Sequence, residues 1–185
     1  RFNYGIRYEQ YLLTKDNDLL KELKQLMHKS SQNYDEPALD YLQAGLYYEA
    51  IDIWTIAGKE KAVTPMTYYY MGYAKTMGVG ADSVPATQLD ETKALFAKAE
   101  TMSPDYCFPN RLEDVLALKA AKAFNPTGAK APYYLGCLYY AARQYDLAIE
   151  NWECSAQLDS SFPTVWRNLA LGRFNKQNRQ EEALR

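Results

Sequence analysis

Residues 131–152, APYYLGCLYYAARQYDLAIENW, contain the clearest structural signal in the chain. Small and bulky side chains stand at fixed spacings within this stretch: Leu135, Gly136, Tyr139, Ala148 and Trp152. The arrangement begins again 34 residues later, where Leu169 and Ala170 replace Leu135 and Gly136. A repeat of this length is typical of stacked helix pairs, in which a small residue permits close approach and an aromatic residue fills the gap between pairs.

Weaker copies of the same unit precede this stretch. Thr64 and Pro65 suit the N-cap and first position of a helix that stops at Gly78. The second helix of that unit contains Phe96, and an insertion of about eight residues, 79–86, separates the two helices. The chain therefore carries the helix-pair pattern well before the clearest repeat.

A still earlier unit has its turn at Gly45. The first helix of this unit ends near Ala44, and its second helix contains Trp54. Because proline cannot donate a backbone hydrogen bond, Pro37 is expected to confine the regular part of the first helix to residues after Asp35.

One unit is too short for two helices. Pro104 and Pro126, which close successive units, are only 22 positions apart. The irregular stretch Asp105 to Asn110 replaces the first helix, and a single helix from Arg111 to Phe124 follows. The sequence leaves open whether this segment bends the solenoid or only shortens it.

These motifs resemble the tetratricopeptide repeat (TPR) family over nearly the whole chain. The resemblance implies an all-α, right-handed superhelical solenoid of antiparallel helix pairs, with about 11 helices and one repeat lacking its first helix. We expect residues 1–185 to form a single repeat domain with these approximate units: 1–30, 31–60, 64–104, 105–128 (incomplete), 129–162 and 163–185 (truncated).

A narrower resemblance involves two further stretches, SPDYCFPNRLEDVLAL at 103–118 and SSFPTVWRNLALGRFNK at 160–176. Both are similar to the C-terminal repeat region of large bacterial proteins whose N-terminal domain has an uncharacterised or carbohydrate-related function. The chain begins at Arg1 without a methionine and stops at Arg185 inside a predicted helix, so we interpret it as a piece of a longer protein. Cytoplasm is the favoured compartment.

Composition narrows the functional classes. The chain carries 21 basic and 23 acidic side chains, which give a net charge of −2. Phosphate binding needs a basic excess, so nucleic acid is not the expected partner. No apolar run approaches the roughly 18 residues that span a bilayer, and no membrane partner is expected.

The cysteines and the single histidine do not suggest chemistry. Cys107, Cys137 and Cys154 are widely spaced, and His28 lies in another repeat, so neither a metal site nor a catalytic pair is predicted. Cys137 and Cys154 are expected to pack between helices, whereas Cys107 lies in the irregular stretch and is expected to be exposed. We predict no enzyme activity, no metal and no cofactor.

The 17 tyrosines of the chain suggest a binding function more strongly than the cysteines or the histidine suggest catalysis. If the first helices of the units line a concave face, the candidate partner-binding residues are Tyr69, Tyr73, Tyr133, Tyr140, Arg167, Asn168 and Phe174, beside Cys137 and Leu171. For Tyr69, Tyr73, Tyr133 and Tyr140, a role in partner binding and a role in packing are equally expected. Packing is the favoured role of another four: Tyr68, Tyr70, Tyr134 and Tyr139.

We therefore predict a non-catalytic interaction or scaffolding module that binds a peptide, a partner domain or another domain of its own polypeptide. Some TPR domains bind the C-terminal carboxylate of a partner through a clamp of Lys and Asn residues on successive first helices. This clamp is not expected here, because Tyr133 and Cys137 stand where its first Lys and Asn would be. Lys130, Arg167 and Asn168 alone do not rebuild it. The alternatives are an accessory helical domain of a carbohydrate-active protein, which packs on a catalytic domain or holds a glycan, and a structural spacer. The oligomeric state stays open.

Overall fold

The computed structural model describes residues 4–78, 86–177 and 181 of the chain. The described residues form ten helices, against about 11 predicted, and contain no β-strand. The helices are α1 (Tyr4–Thr14), α2 (Asn17–Met27), α3 (Ser31–Gln43), α4 (Tyr47–Lys59), α5 (Pro65–Met77), α6 (Ala86–Glu100), α7 (Leu112–Phe124), α8 (Lys130–Ala141), α9 (Tyr145–Leu158) and α10 (Pro163–Gln177). The predicted all-α class is confirmed.

Neighbouring helices pack as pairs along the chain: α1 with α2, α3 with α4, α5 with α6, and α8 with α9. Helix α10 packs on α9, and α7 lies against α5 and α8 with no paired helix of its own. The described part of the chain is therefore a helical solenoid in which one repeat lacks its first helix, as predicted. Residues 79–85 of the predicted insertion lie outside the described residues.

Close helix approach in two of the pairs depends on glycine. A Cβ atom placed on Gly136 would lie 2.3 Å from Cδ1 of Trp152, and one on Gly72 would lie 2.4 Å from Cε1 of Phe96. Phe96 occupies the place of Trp152 even though a longer connection precedes α6. Close approach at the small residue thus holds in both units, although the ring was predicted to fill the gap between pairs and lies within the pair.

Polar side chains fix where the helices begin. Thr67 Oγ1 accepts a hydrogen bond of 3.1 Å from the backbone N–H of Thr64, at the predicted start of α5. The carboxylate of Glu100 accepts from the backbone N–H groups of Lys130 (2.9 Å) and Ala131 (3.3 Å), so the end of α6 caps the start of α8. This capping ties the repeats on either side of α7 together.

The prediction about Pro37 is wrong. Helix α3 begins at Ser31, and Pro37 lies buried inside it. Burial of Tyr34, Ala38 and Leu39 on the same helix outweighs the single backbone hydrogen bond that proline cannot make.

Buried side chains form two clusters. The larger one runs from α1 to α8, and the smaller one joins α8, α9 and α10 around Trp152, Val165 and Leu169. None of the described helices combines the length and the apolar character that a bilayer crossing requires.

One half-buried carboxyl group, that of Asp35, makes stability depend on pH. The carboxylate of Asp35 accepts a 2.9 Å hydrogen bond from Nε1 of the buried Trp54. Burial raises the pKa of Asp35 to about 6, although the bond from Trp54 and the charge of Arg111 oppose the rise. The native state therefore holds this proton more tightly than the unfolded state, and stability is lost as pH rises from about 4 to about 6.

As the pH is raised from about 4.5 to about 7, we expect loss of the Asp35 proton to lower the free energy of unfolding by about 2 kcal/mol. Urea titrations of the wild type and Asp35→Asn at both pH values measure the contribution, because asparagine does not titrate. The variant is expected to lack that part of the pH dependence. Equal pH dependence in both proteins would contradict the assignment.

Candidate functional site

Helix α8 presents part of the predicted face. Tyr133, Cys137 and Tyr140 follow one another at helical spacing, so they form one stripe on α8. All three are half-buried. The stripe is therefore partly a packing surface and partly accessible from outside.

Tyr133 is held firmly in place. Its ring centroid lies 4.8 Å from that of Phe162 and 5.2 Å from that of Tyr134. Its backbone carbonyl accepts a 3.2 Å hydrogen bond from Nε1 of Trp152. Burial raises the pKa of the Tyr133 hydroxyl, and the nearby positive charge of Arg167 partly offsets this. The hydroxyl is thus a neutral donor and acceptor near a cation.

Tyr140 lies at the other end of the stripe, within an aromatic group. Its ring centroid is 5.2 Å from that of Tyr145 and 5.4 Å from that of Trp152. The ammonium group of Lys176 lies 4.5 Å from the centroid of the Tyr145 ring. These contacts leave Tyr140 only partly available to a partner.

Helix α10 supplies the exposed part of the face. Arg167, Leu171 and Phe174 share one side of this helix, and all three are exposed. Asn168 joins the two helices, because its Nδ2 lies 3.8 Å from Sγ of Cys137. We call the combined surface the α8/α10 face; its residues are Tyr133, Cys137, Tyr140, Arg167, Asn168, Leu171 and Phe174.

Arg167 is the uncommitted cation of this face. No ion pair among the described residues includes it, whereas Arg173 on the same helix binds Glu153 at 2.7 Å. A guanidinium group with five donors in a fixed geometry suits a carboxylate or an amide oxygen of a bound chain.

Two predicted residues on α5 do not join this face. Tyr69 is 0% exposed, and its hydroxyl donates a 2.7 Å hydrogen bond to Glu100. The prediction that Tyr69 lines a binding surface is wrong, because the ring of Tyr134 covers it at a centroid distance of 6.1 Å. Tyr73 is half-buried on α5 and lies near Tyr47.

The tyrosines assigned to packing do pack. Tyr70 and Tyr134 are buried, and Tyr68 and Tyr139 are partly buried against the larger core cluster. Tyr70 also stacks on Trp54, with 5.4 Å between the ring centroids. This set of predictions is confirmed.

All three cysteines are free thiols. Cys107 is buried, so its predicted exposure is wrong, and burial raises the pKa of its thiol. Cys137 and Cys154 are half-buried, on α8 and α9. Among the described residues, no group of histidine, cysteine and acidic side chains is arranged to hold a metal ion.

Lys130 is already engaged. Its ammonium group donates to the backbone carbonyls of Glu100, at 2.5 Å, and Met102. These are the last carbonyls of α6 and the turn after it, so Lys130 closes a helix end. A carboxylate clamp needs a lysine whose ammonium group is free to bind the ligand, whereas the ammonium group of Lys130 is bound to these carbonyls.

The sequence did not reveal the exposed aromatic residues beside α7. Tyr106 is 92% exposed and Phe108 is 79% exposed, while Cys107 between them points inward. The flanking Pro104 and Pro109 mark the segment as irregular, but they do not indicate which side chain of an irregular segment turns inward.

No protein-family model matches the chain. Among solved structures, it is similar to MamA at 20% identity, over 96% of this chain and 88% of that chain, with a TM-score of 0.40. MamA 41-end from Desulfovibrio magneticus RS-1 is 19% identical over 83% of this chain and 89% of that chain, with a TM-score of 0.36. YrrB, a TPR protein with an unusual peptide-binding site, is 14% identical over 98% of this chain and 77% of that chain, with a TM-score of 0.39.

Proposed function

We propose that the chain is a non-catalytic protein-interaction module that binds a peptide or a partner domain through the α8/α10 face. The observation that carries the proposal is the position of Arg167 and Phe174. Both are exposed on the same side of α10, two turns apart, and Arg167 lies near the half-buried Tyr133 of α8. A further domain of the same polypeptide is one such partner.

The side chains suit the recognition of an extended chain bearing an acidic group. Phe174 is 46% exposed and offers apolar area, while Tyr133 combines a rigid ring with a polar tip. Arg167 provides charge and Asn168 an amide. Tyrosine and arginine are enriched among the few residues that carry most of the binding free energy in protein interfaces, and phenylalanine is enriched in interfaces generally.

Selection from a random-peptide phage library on the immobilised chain tests the proposal. We expect enriched peptides to contain an acidic residue and to bind Arg167→Glu and Phe174→Ala about tenfold more weakly. Both residues are exposed, so the fold is retained and circular dichroism checks it. Binding should fall little with added salt, since apolar contact and hydrogen bonding dominate near neutral charge.

Two matched controls separate the face from general surface effects. Lys93→Glu makes the same charge change at an exposed site on α6, and Tyr48→Ala removes an exposed ring from α4. Both should bind like the wild type. If no peptide enriches, or if the Arg167 and Phe174 variants bind as tightly as these controls, the α8/α10 face is not the binding site.

The accessory role in a carbohydrate-active protein rests on the resemblance alone, and no described residue favours a glycan over a peptide. The spacer role predicts that neither peptide nor oligosaccharide binds. Fluorescence titration of the chain with oligosaccharides distinguishes the glycan role from the peptide role.

A further inference from the structure

A second concave site lies at the place where the incomplete repeat lacks its first helix. It is a pocket of about 280 Å³ between α3, α5 and the irregular segment that leads into α7. The side chains of Asp35, Tyr70 and Asp114 line this pocket. Tyr106 and Phe108 form its rim. The site is separate from the α8/α10 face.

The two carboxylates differ in what they can still bind. Asp114 accepts hydrogen bonds from the hydroxyl of Tyr70 and from the backbone N–H groups of Asn110 (2.7 Å) and Arg111 (2.8 Å). Asp35 accepts only the bond from Trp54, on its Oδ1. Its Oδ2 accepts no hydrogen bond from any residue that the structure describes, so this oxygen is left for a donor from outside.

The charge of the pocket favours a cation. The backbone N–H groups at the start of α7 are taken by Asp114, and the N–H of Met66 is directed at the sulfur of Cys107. The one guanidinium group on the lining, that of Arg111, binds Glu36 outside the pocket. Arg111 is thus shared with Glu36 and offsets the charge of Asp35 only in part, so the described lining of the pocket keeps a net negative charge.

The rim has the second feature of a cation site. Tyr106 and Phe108 are 92% and 79% exposed, which is unusual in a chain whose other tyrosines, apart from Tyr48, are buried or half-buried. The backbone of Tyr106 also adopts the left-handed region, with φ of 58°, and this conformation is unfavourable for a non-glycine residue. The faces of aromatic rings attract ammonium groups.

We propose that this pocket binds an alkylammonium group, either a lysine side chain of a partner or a free primary amine. The ammonium nitrogen donates to Oδ2 of Asp35, and the methylene groups lie along the rings of Tyr106 and Phe108. The site goes beyond the peptide-binding role of the α8/α10 face and does not depend on it.

Nuclear magnetic resonance titration with two probes tests the site. The probes are n-butylammonium and a Gly-Lys-Gly peptide with blocked ends, and the same peptide with an acetylated lysine is the neutral control. We expect saturable shifts at the amides of Asp35 and Phe108 with both charged probes and none with the acetylated peptide. Tighter binding of the peptide would identify a lysine side chain as the ligand, and tighter binding of butylammonium would identify a free amine.

Variants make the assignment specific. Asp35→Asn should weaken binding about tenfold, and Phe108→Ala should weaken it about threefold. Asp40→Asn, an exposed carboxylate on the same helix α3, should bind like the wild type. Phe108 is a surface residue, so its variant keeps the fold. Absence of saturation, equal binding of the acetylated peptide, or unchanged affinity in Asp35→Asn would overturn the proposal.

Discussion

Replacing Gly136 with alanine is expected to lower the free energy of unfolding by about 2 kcal/mol. The added Cβ atom would lie 2.3 Å from Cδ1 and 2.4 Å from Nε1 of Trp152, distances at which one group must move. Trp152 is buried, and its Nε1 donates to the carbonyl of Tyr133 at 3.2 Å. Moving the indole therefore breaks this hydrogen bond and separates α8 from α9. The resulting loss of stability outweighs the roughly 1 kcal/mol by which alanine is favoured over glycine within a helix.

Gly58→Ala is the matched control. Gly58 lies near the end of α4, it is exposed, and a Cβ atom there would have no neighbour within 4 Å. This substitution should stabilise the chain by about 0.5–1 kcal/mol, because only the helix preference changes. Urea unfolding followed by tryptophan fluorescence measures both. A stabilising effect of Gly136→Ala would show that the pair of helices adjusts at no cost, contrary to the close approach described above.

The repeat pattern predicted the close approach of α8 and α9 because the contact is local and periodic. Gly136 and Trp152 belong to a single helix hairpin, but the ring was predicted to fill the gap between pairs, whereas it lies against the glycine of its own pair. Phe96 lies against Gly72 in the same way, a contact that was not predicted. Close approach within one repeat was therefore predictable without knowledge of how the repeats stack, whereas the position of the ring was not.

Burial between repeats was not predictable in this way. Tyr69 and Tyr133 both stand three residues before the glycine of their repeats, yet Tyr69 is 0% exposed and Tyr133 is half-buried. The difference comes from two neighbours of Tyr69: Tyr134 of a later repeat packs on its ring, and Glu100 of the same repeat accepts a hydrogen bond from its hydroxyl. Tyrosine also provides little contrast between helix faces, because it is suited to both core and surface.

The irregular segment was predicted as a break, but the exposure predicted for Cys107 within it was wrong. Cys107 is directed inward while Tyr106 and Phe108 point out, the reverse of what hydrophobicity and size suggest. An irregular segment has no helical period that would assign its residues to a face. The proposed alkylammonium pocket lies beside this segment and is formed by residues from three separate elements. No periodic pattern in the sequence could therefore have predicted it.

Asp114→Ala is expected to have the largest effect of the changes considered, about 3 kcal/mol of lost stability. Asp114 is 2% exposed and receives three hydrogen bonds, from the hydroxyl of Tyr70 and from the backbone N–H groups of Asn110 and Arg111. Alanine leaves all three donors without a partner. The Tyr70 hydroxyl is the costly one, since Tyr70 is itself buried, while the two amides also lose the N-terminal cap of α7.

Two substitutions make this prediction specific to the hydrogen bonds. Glu113→Ala removes the neighbouring carboxylate of the same helical turn, which is partly exposed and accepts a 2.7 Å hydrogen bond from Gln43, and should cost less than about 1 kcal/mol. Asp114→Asn keeps one oxygen for the backbone amides, so its cost should fall between the two alanine variants. Urea unfolding gives all three values. Equal losses for Asp114→Ala and Glu113→Ala would mean that charge near the helix start, and not the buried network that anchors the incomplete repeat to α5, holds α7 in place.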